Sequence, residues 1–286
     1  MPTFETPEPI SVTLKVAVGN IYVAASRRAD TTVEVLPTDR SSKGDIAAAA
    51  ETRIEYGDGT LSVRDASRWR QFGWWDKKRS VDVRIELPSG SRLQCDAIVV
   101  GFESVGPLGD CRVTTGAGEI HVEQAGPAQL ETGAGDVTAG HILEWVKIKT
   151  GSGTVRVGSV EGAATIHNAN GTTLLSEAGG KVDVGAANGR ITVDRAHDSV
   201  VARTAMGDIA IGEVEAGEVT ARTAFGKVEV GIREGVAAWL DLTTKYGHVS
   251  NGLDAAEPPD AAQPTVEVHV HTYAGVIRIY RAAAVA

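Results

Sequence analysis

The chain has 286 residues, a formal net charge of −9 and a pI near 5.3, which exclude generic attraction to nucleic acid or to an anionic membrane surface. Glycine supplies 33 residues and aromatics only 5%, which suits a narrow interior of Val, Ile, Ala and Thr. Two cysteines make no disulfide framework, and no apolar run approaches the length of a membrane span.

The opening residues, Met1–Ile10, carry neither the basic nor the apolar region of a signal peptide, so a cytoplasmic location is the expectation. Alternating strands come next at Ile10–Val18, Ile21–Val23 and Thr32–Leu36, with a turn at Gly19-Asn20. Ser41-Ser42 offers an N-cap for a helix over Asp45–Ile54. Strands resume at Leu61–Val63 and Val81–Leu87. Between them, Arg68, Trp69, Arg70, Phe72, Trp74 and Trp75 interleave basic and aromatic side chains, the composition of a contact with a partner. Residues 1–91 lack a regular period and read as a β-rich capping region with one helix and a Trp-rich loop.

From residue 92 to 286 one unit recurs, anchored on Gly118, Gly135, Gly153, Gly171, Gly189, Gly207, Gly226, Gly247 and Gly275. A fixed period near 18 residues is the signature of a stacked array. Each unit reads as two short strands about the glycine, apolar and polar by turns, as in Val219–Thr223 and Lys227–Val230. The inward column five places before the glycine stays apolar throughout, from Val113 and Leu130 to Leu242 and Val270. The fold expected is therefore an all-β solenoid of about nine two-strand turns behind the N-terminal cap. At strand spacing, nine turns make a stack of ~40 Å. Thr stands three places before seven of the nine glycines, and stacked hydroxyls pairing between turns are expected. The wide last step is explained by a Pro/Ala/acid loop over 251–264, after which Thr265–Tyr280 completes the last turn.

Register brings outward residues of adjacent turns together, so chemistry can be sought down columns. Asp241 falls under His269, with His271 on the same face, and two imidazoles with a carboxylate are metal-ligand types. Arg203 above Arg222 is a like-charge step that favours an anion. Glu119, Asp136 and Asp208 lie on separate turns and suggest no paired-carboxylate hydrolase. Gly116-Ala-Gly118 and its copies lead into strands rather than helices, so they do not cradle phosphate. Cys111 falls in an inward column as a small buried hydrophobe. No cofactor is implied.

The Thr-x-x-Gly-(Asp/Lys/Glu)-(Ile/Val)-x-Val unit, with Phe4–Ile10 and Gly231–Leu240, resembles the actinobacterial members of an uncharacterised β-strand-repeat family known as "putative adhesins". The resemblance implies a β-solenoid and transfers no catalytic residue. The function expected is a non-enzymatic scaffold or interaction module that binds a protein partner or its own copies, because stacked edges template pairing. The alternatives are a carbohydrate-binding or carbohydrate-active β-helix, and a metal or small-anion site near Asp241.

Overall fold

The structure, a computed structural model, describes residues 1–65, 79–253 and 265–282. The chain divides into two compact units, Met1–Gly140 and His141–Ala286, each built from solenoid turns of paired parallel strands. Among the described residues there is one helix, Lys43–Glu51, and no helix long and apolar enough to cross a membrane.

Alternation explains the turns. In the second unit Val182–Asn188 lies parallel between Ala164–Asn170 and Val200–Met206, each pairing offset by one repeat. Val182, Val184, Val200 and Ala202 are fully buried, while Asp183 and Arg203 reach solvent. A slip of one residue would exchange these two sets, and each buried valine contributes roughly 2 kcal/mol through its apolar area.

The glycine column has a steric cause. Gly207 has φ +151°, and a Cβ placed there would stand 2.0 Å from the Gly189 carbonyl oxygen. Only a residue without a side chain lets one bend stack on the next at strand spacing. The same close approach recurs at Gly118, Gly135, Gly171, Gly189, Gly226, Gly247 and Gly275, and Gly153 shares the positive φ. The threonines serve this column differently from expectation. Their hydroxyls do not pair with each other; Thr132 donates to Gly118 O (3.1 Å), Thr223 to Gly207 O (3.0 Å) and Thr244 to Gly275 O (3.2 Å). Hydroxyls stacked one strand spacing apart are too distant to bond, whereas the neighbouring glycine carbonyl is within reach. Asn168 substitutes for Thr by donating to Gly153 O at 3.0 Å.

In the first unit the array includes a turn that the sequence hides. Ser11–Ser26 pairs in parallel along Arg92–Leu108 on one side, and with Thr60–Arg64 and Val81–Pro88 on the other. Its bend is at Gly19, with φ +143°. Beyond it the ladder changes sense: Asp30–Pro37 is antiparallel to Val81–Pro88, Arg53–Gly57 to Thr60–Arg64, and Thr3–Glu5 to Asp30–Pro37. The helix packs on the Asp30–Pro37 and Val81–Pro88 strands. It stops at Glu51 instead of continuing to Ile54, because Thr52 turns extended and its hydroxyl bonds Ala48 O at 2.8 Å. Arg53 onward alternates as a strand and returns through Asp58-Gly59, both at positive φ, in the two-residue turn that hairpin twist favours.

In the second unit the last two turns exchange places. Thr265–Ala274 pairs with both Gly217–Phe225 and Ala237–Tyr246, and Ile277–Arg281 likewise lies between Val228–Ile232 and Val249–Asn251. The turn that comes last in sequence is therefore an inner one, and Ala237–Asn251 forms the outermost layer described. The chain crosses the skipped layer through residues 233–236, whose carbonyls at Arg233 and Val236 accept from Arg281 Nη1 at 3.0 and 2.7 Å.

Candidate functional site

Register decides which outward side chains meet. In the second unit, Thr220, His269 and Asp241 form one row across three layers, and Arg222, His271 and Thr243 the next. With Glu218 and Val270 they line a depression of 560 Å³. His269 Nδ1 lies 3.6 Å from an Asp241 carboxylate oxygen, its Nε2 lies 3.9 Å from Glu267, and Trp239 meets its ring edge-on at 5.9 Å. Asp241 and His269 thus meet as the repeat spacing predicts, while His271 stands in the adjoining row beside Arg222 and Thr243. Among the described residues no three His, Cys, Asp or Glu side chains group closely enough to hold a metal ion. Arg203 does neighbour Arg222 in register, but Asp183 stands 3.6 Å from Arg203 and offsets the like-charge step.

In the first unit a depression of 710 Å³ is lined by Asn20, Tyr22, Asp82, Arg84, Glu86, Glu103, Glu119 and His121, opened by the missing side chain at Gly101. Two of its acids are already tied to the fold. Asp82 accepts from Asn20 Nδ2 and Thr38 Oγ1, each at 2.9 Å, and Glu86 pairs with Arg28.

Across one bend of the second unit, His197 bridges Glu177 (2.9 Å) and Glu215 (3.0 Å), with Arg195 and Arg233 completing the charges. Hydrogen bonds to Glu177 and then Glu215 hold the imidazole pKa above its ordinary value, and the bond from His197 holds that of Glu177 below its own. This network ties four turns together. Cys95 and Cys111 are buried, and loss of hydration pushes the Cys111 thiol up to about 12 and raises that of Cys95 as well, so neither serves as a nucleophile.

The feature that sequence reasoning missed is apolar and exposed. The position just before the turn glycine carries Asn170 and Asn188, then, layer by layer, Met206, Phe225, Ala274 and Tyr246. Met206, Phe225 and Tyr246 are 58%, 53% and 60% exposed. Tyr273 packs edge-on to Phe225 at 5.8 Å and to Tyr246 at 5.4 Å, and the Lys245 ammonium lies 5.2 Å from the Tyr273 ring centre. Trp239, 63% exposed, stands on the same outermost strand as Tyr246. The shift from Asn to Met, Phe and Tyr in one column was the available signal. The other aromatic group, Arg68, Trp69, Arg70, Phe72, Trp74 and Trp75, lies outside the described residues.

With this geometry in place, comparison with known proteins adds a family. The Toastrack DUF4097 pattern matches residues 10–257. No curated protein matches the chain. Among solved structures, a "putative adhesin" from Bacteroides fragilis is 14% identical over 97% of this chain and 95% of its own, with a TM-score of 0.36. A "putative lipid binding protein" from Parabacteroides distasonis is 11% identical over 97% and 95%, with a TM-score of 0.34. A "putative adhesin" from Parabacteroides merdae is 12% identical over 97% and 94%, with a TM-score of 0.31.

Proposed function

For a chain that belongs to the Toastrack DUF4097 family, we propose a non-enzymatic role as a scaffold that associates with its own copies through the terminal turns of its second unit. One observation carries the reading. The most exposed large apolar side chains after Met1 stand on those turns, where Met206, Phe225, Trp239 and Tyr246 are each more than half exposed and Val249, Tyr273 and Val276 are also open to solvent. Phe225, Tyr273 and Tyr246 touch one another across three layers, and an exposed apolar cluster of this kind marks an interaction site.

The test is light scattering coupled to size exclusion across a concentration series. The expected mass exceeds that of the 29.9 kDa single chain and rises with concentration. A constant single-chain mass at the highest concentration sinks self-association. The same experiment on Trp74→Ala/Trp75→Ala distinguishes the two aromatic groups: association is expected to survive, and its loss would move the contact to the Trp-rich stretch.

A further inference from the structure

We propose that two copies of this chain pair antiparallel, edge to edge, along Ala237–Tyr246, about a two-fold axis through Thr243. The inference rests on the self-association reading and specifies its contact. Ala237–Tyr246 pairs on one side with Thr265–Ala274, and among the described residues no strand pairs with its other edge. The layers behind it bury their inward residues completely, as at Val219, Ala221, Val266 and Val268, whereas inward Leu240 and Leu242 here are only half-buried. An open ladder and an unfinished core end on the same strand, which is the arrangement that templates addition of another strand.

The backbone restricts how a second copy can add. Inward residues of each turn donate to the layer ahead, as Ala164 N does to Lys181 O (2.9 Å) and Val182 N to Ser199 O (2.9 Å). By the same pattern, Leu240, Leu242 and Thr244 aim their amides and carbonyls at the free edge. A two-fold antiparallel pairing must therefore set these residues opposite one another. Centring it on Thr243 does so, pairing Leu242 with Thr244 of the other copy, twice.

Charge selects this register among those the backbone allows. Asp241 and Lys245 are both exposed and stand symmetrically about Thr243. Only this centre places Asp241 of each copy opposite Lys245 of the other. That pair occupies the narrow, non-hydrogen-bonded site, where side chains come closest. In the single copy Lys245 leans on the Tyr246 and Tyr273 rings at 5.5 and 5.2 Å, and Asp241 lies 3.6 Å from His269. His269 and Tyr273 are on the layer behind, so in the single copy both side chains lean inward, and pairing turns them toward the edge.

Thr243 itself meets its own symmetry mate in a narrow pair, with Cα atoms about 4.5 Å apart, within the range a disulfide spans. Both native cysteines are buried, so Thr243→Cys presents a lone accessible thiol. Under mild oxidation the full chain carrying Thr243→Cys is expected to form a covalent dimer nearly completely, and Trp239→Cys, which this register leaves without a partner cysteine, is expected not to. Lys245→Asp should weaken association roughly tenfold, and Asp241→Lys/Lys245→Asp should restore it. Association without the Thr243 cross-link, or without rescue by the charge swap, overturns this pairing and leaves the scaffold reading standing. A single-chain mass for the unmodified protein overturns both.

Discussion

The first turns of the Met1–Gly140 unit and the last of the His141–Ala286 unit solve the same problem in opposite ways. A parallel array ends in a row of unpaired amides and carbonyls, which is a hazard unless something interrupts it. In the first unit the interruption is built in: the ladder reverses to antiparallel at Asp30–Pro37 and Arg53–Gly57, and a helix closes on it. In the second unit the outermost layer among the described residues, Ala237–Asn251, remains parallel, with inward Leu240 and Leu242 only half-buried and Trp239 and Tyr246 exposed. Inward columns of one apolar pattern therefore yield, among the described residues, a finished end and an open one. The difference teaches that the repeat specifies stacking but not termination; termination comes from what departs from the repeat.

The comparison can be sharpened from its strongest term downward. Gly207→Val, in a closely stacked bend, forces a Cβ onto the Gly189 carbonyl and should lower unfolding free energy by about 3 kcal/mol or more in urea titration. If the stability is unchanged, the stacked bend is not what fixes the period. Next, Ile166→Ala in an inner layer should cost about 3 kcal/mol, while Leu240→Ala on the open layer should cost less than about 1 kcal/mol in a dilute single-chain sample. Equal losses would mean that the outer layer is as well covered as the inner ones. The smallest effect is electrostatic. The raised pKa of His197 contributes stability that is complete below the ordinary imidazole value of 6.5 and fades as pH rises through the folded-state value. The lowered pKa of Glu177 contributes stability that is complete above 4.5 and fades as pH falls. Their combined support therefore peaks between these limits, below about 1 kcal/mol because solvent screens the pair. His197→Gln should flatten the melting temperature across that window, and an unaltered profile would remove His197 as its source.

Much of this fold is legible in the sequence because glycine serves the bend twice, in its φ and in its lack of a side chain, so the period could not drift. The same periodicity puts Asp241 beside His269. The Ser11–Ser26 turn is hidden because Val16 replaces the threonine before Gly19 and two antiparallel strands and a helix intervene before its neighbours. The exchange of the last two turns is not legible at all. Val268/Val270 and Leu240/Leu242 satisfy the same inward positions in the same register, so local pattern has no preference between the two orders. In the folded chain the crossover is held by Arg281, through contacts between residues 45 and 48 positions apart, which no local pattern announces.

That exchange also sets a timetable. During synthesis Ala237–Asn251 is made before the layer it rests on, so it cannot take its final place until Thr265–Arg281 has been added. At ordinary elongation rates the wait is on the order of seconds, long compared with the microseconds in which a hairpin forms. The strand that is most open in the finished molecule is thus also the one longest unsupported in the nascent one.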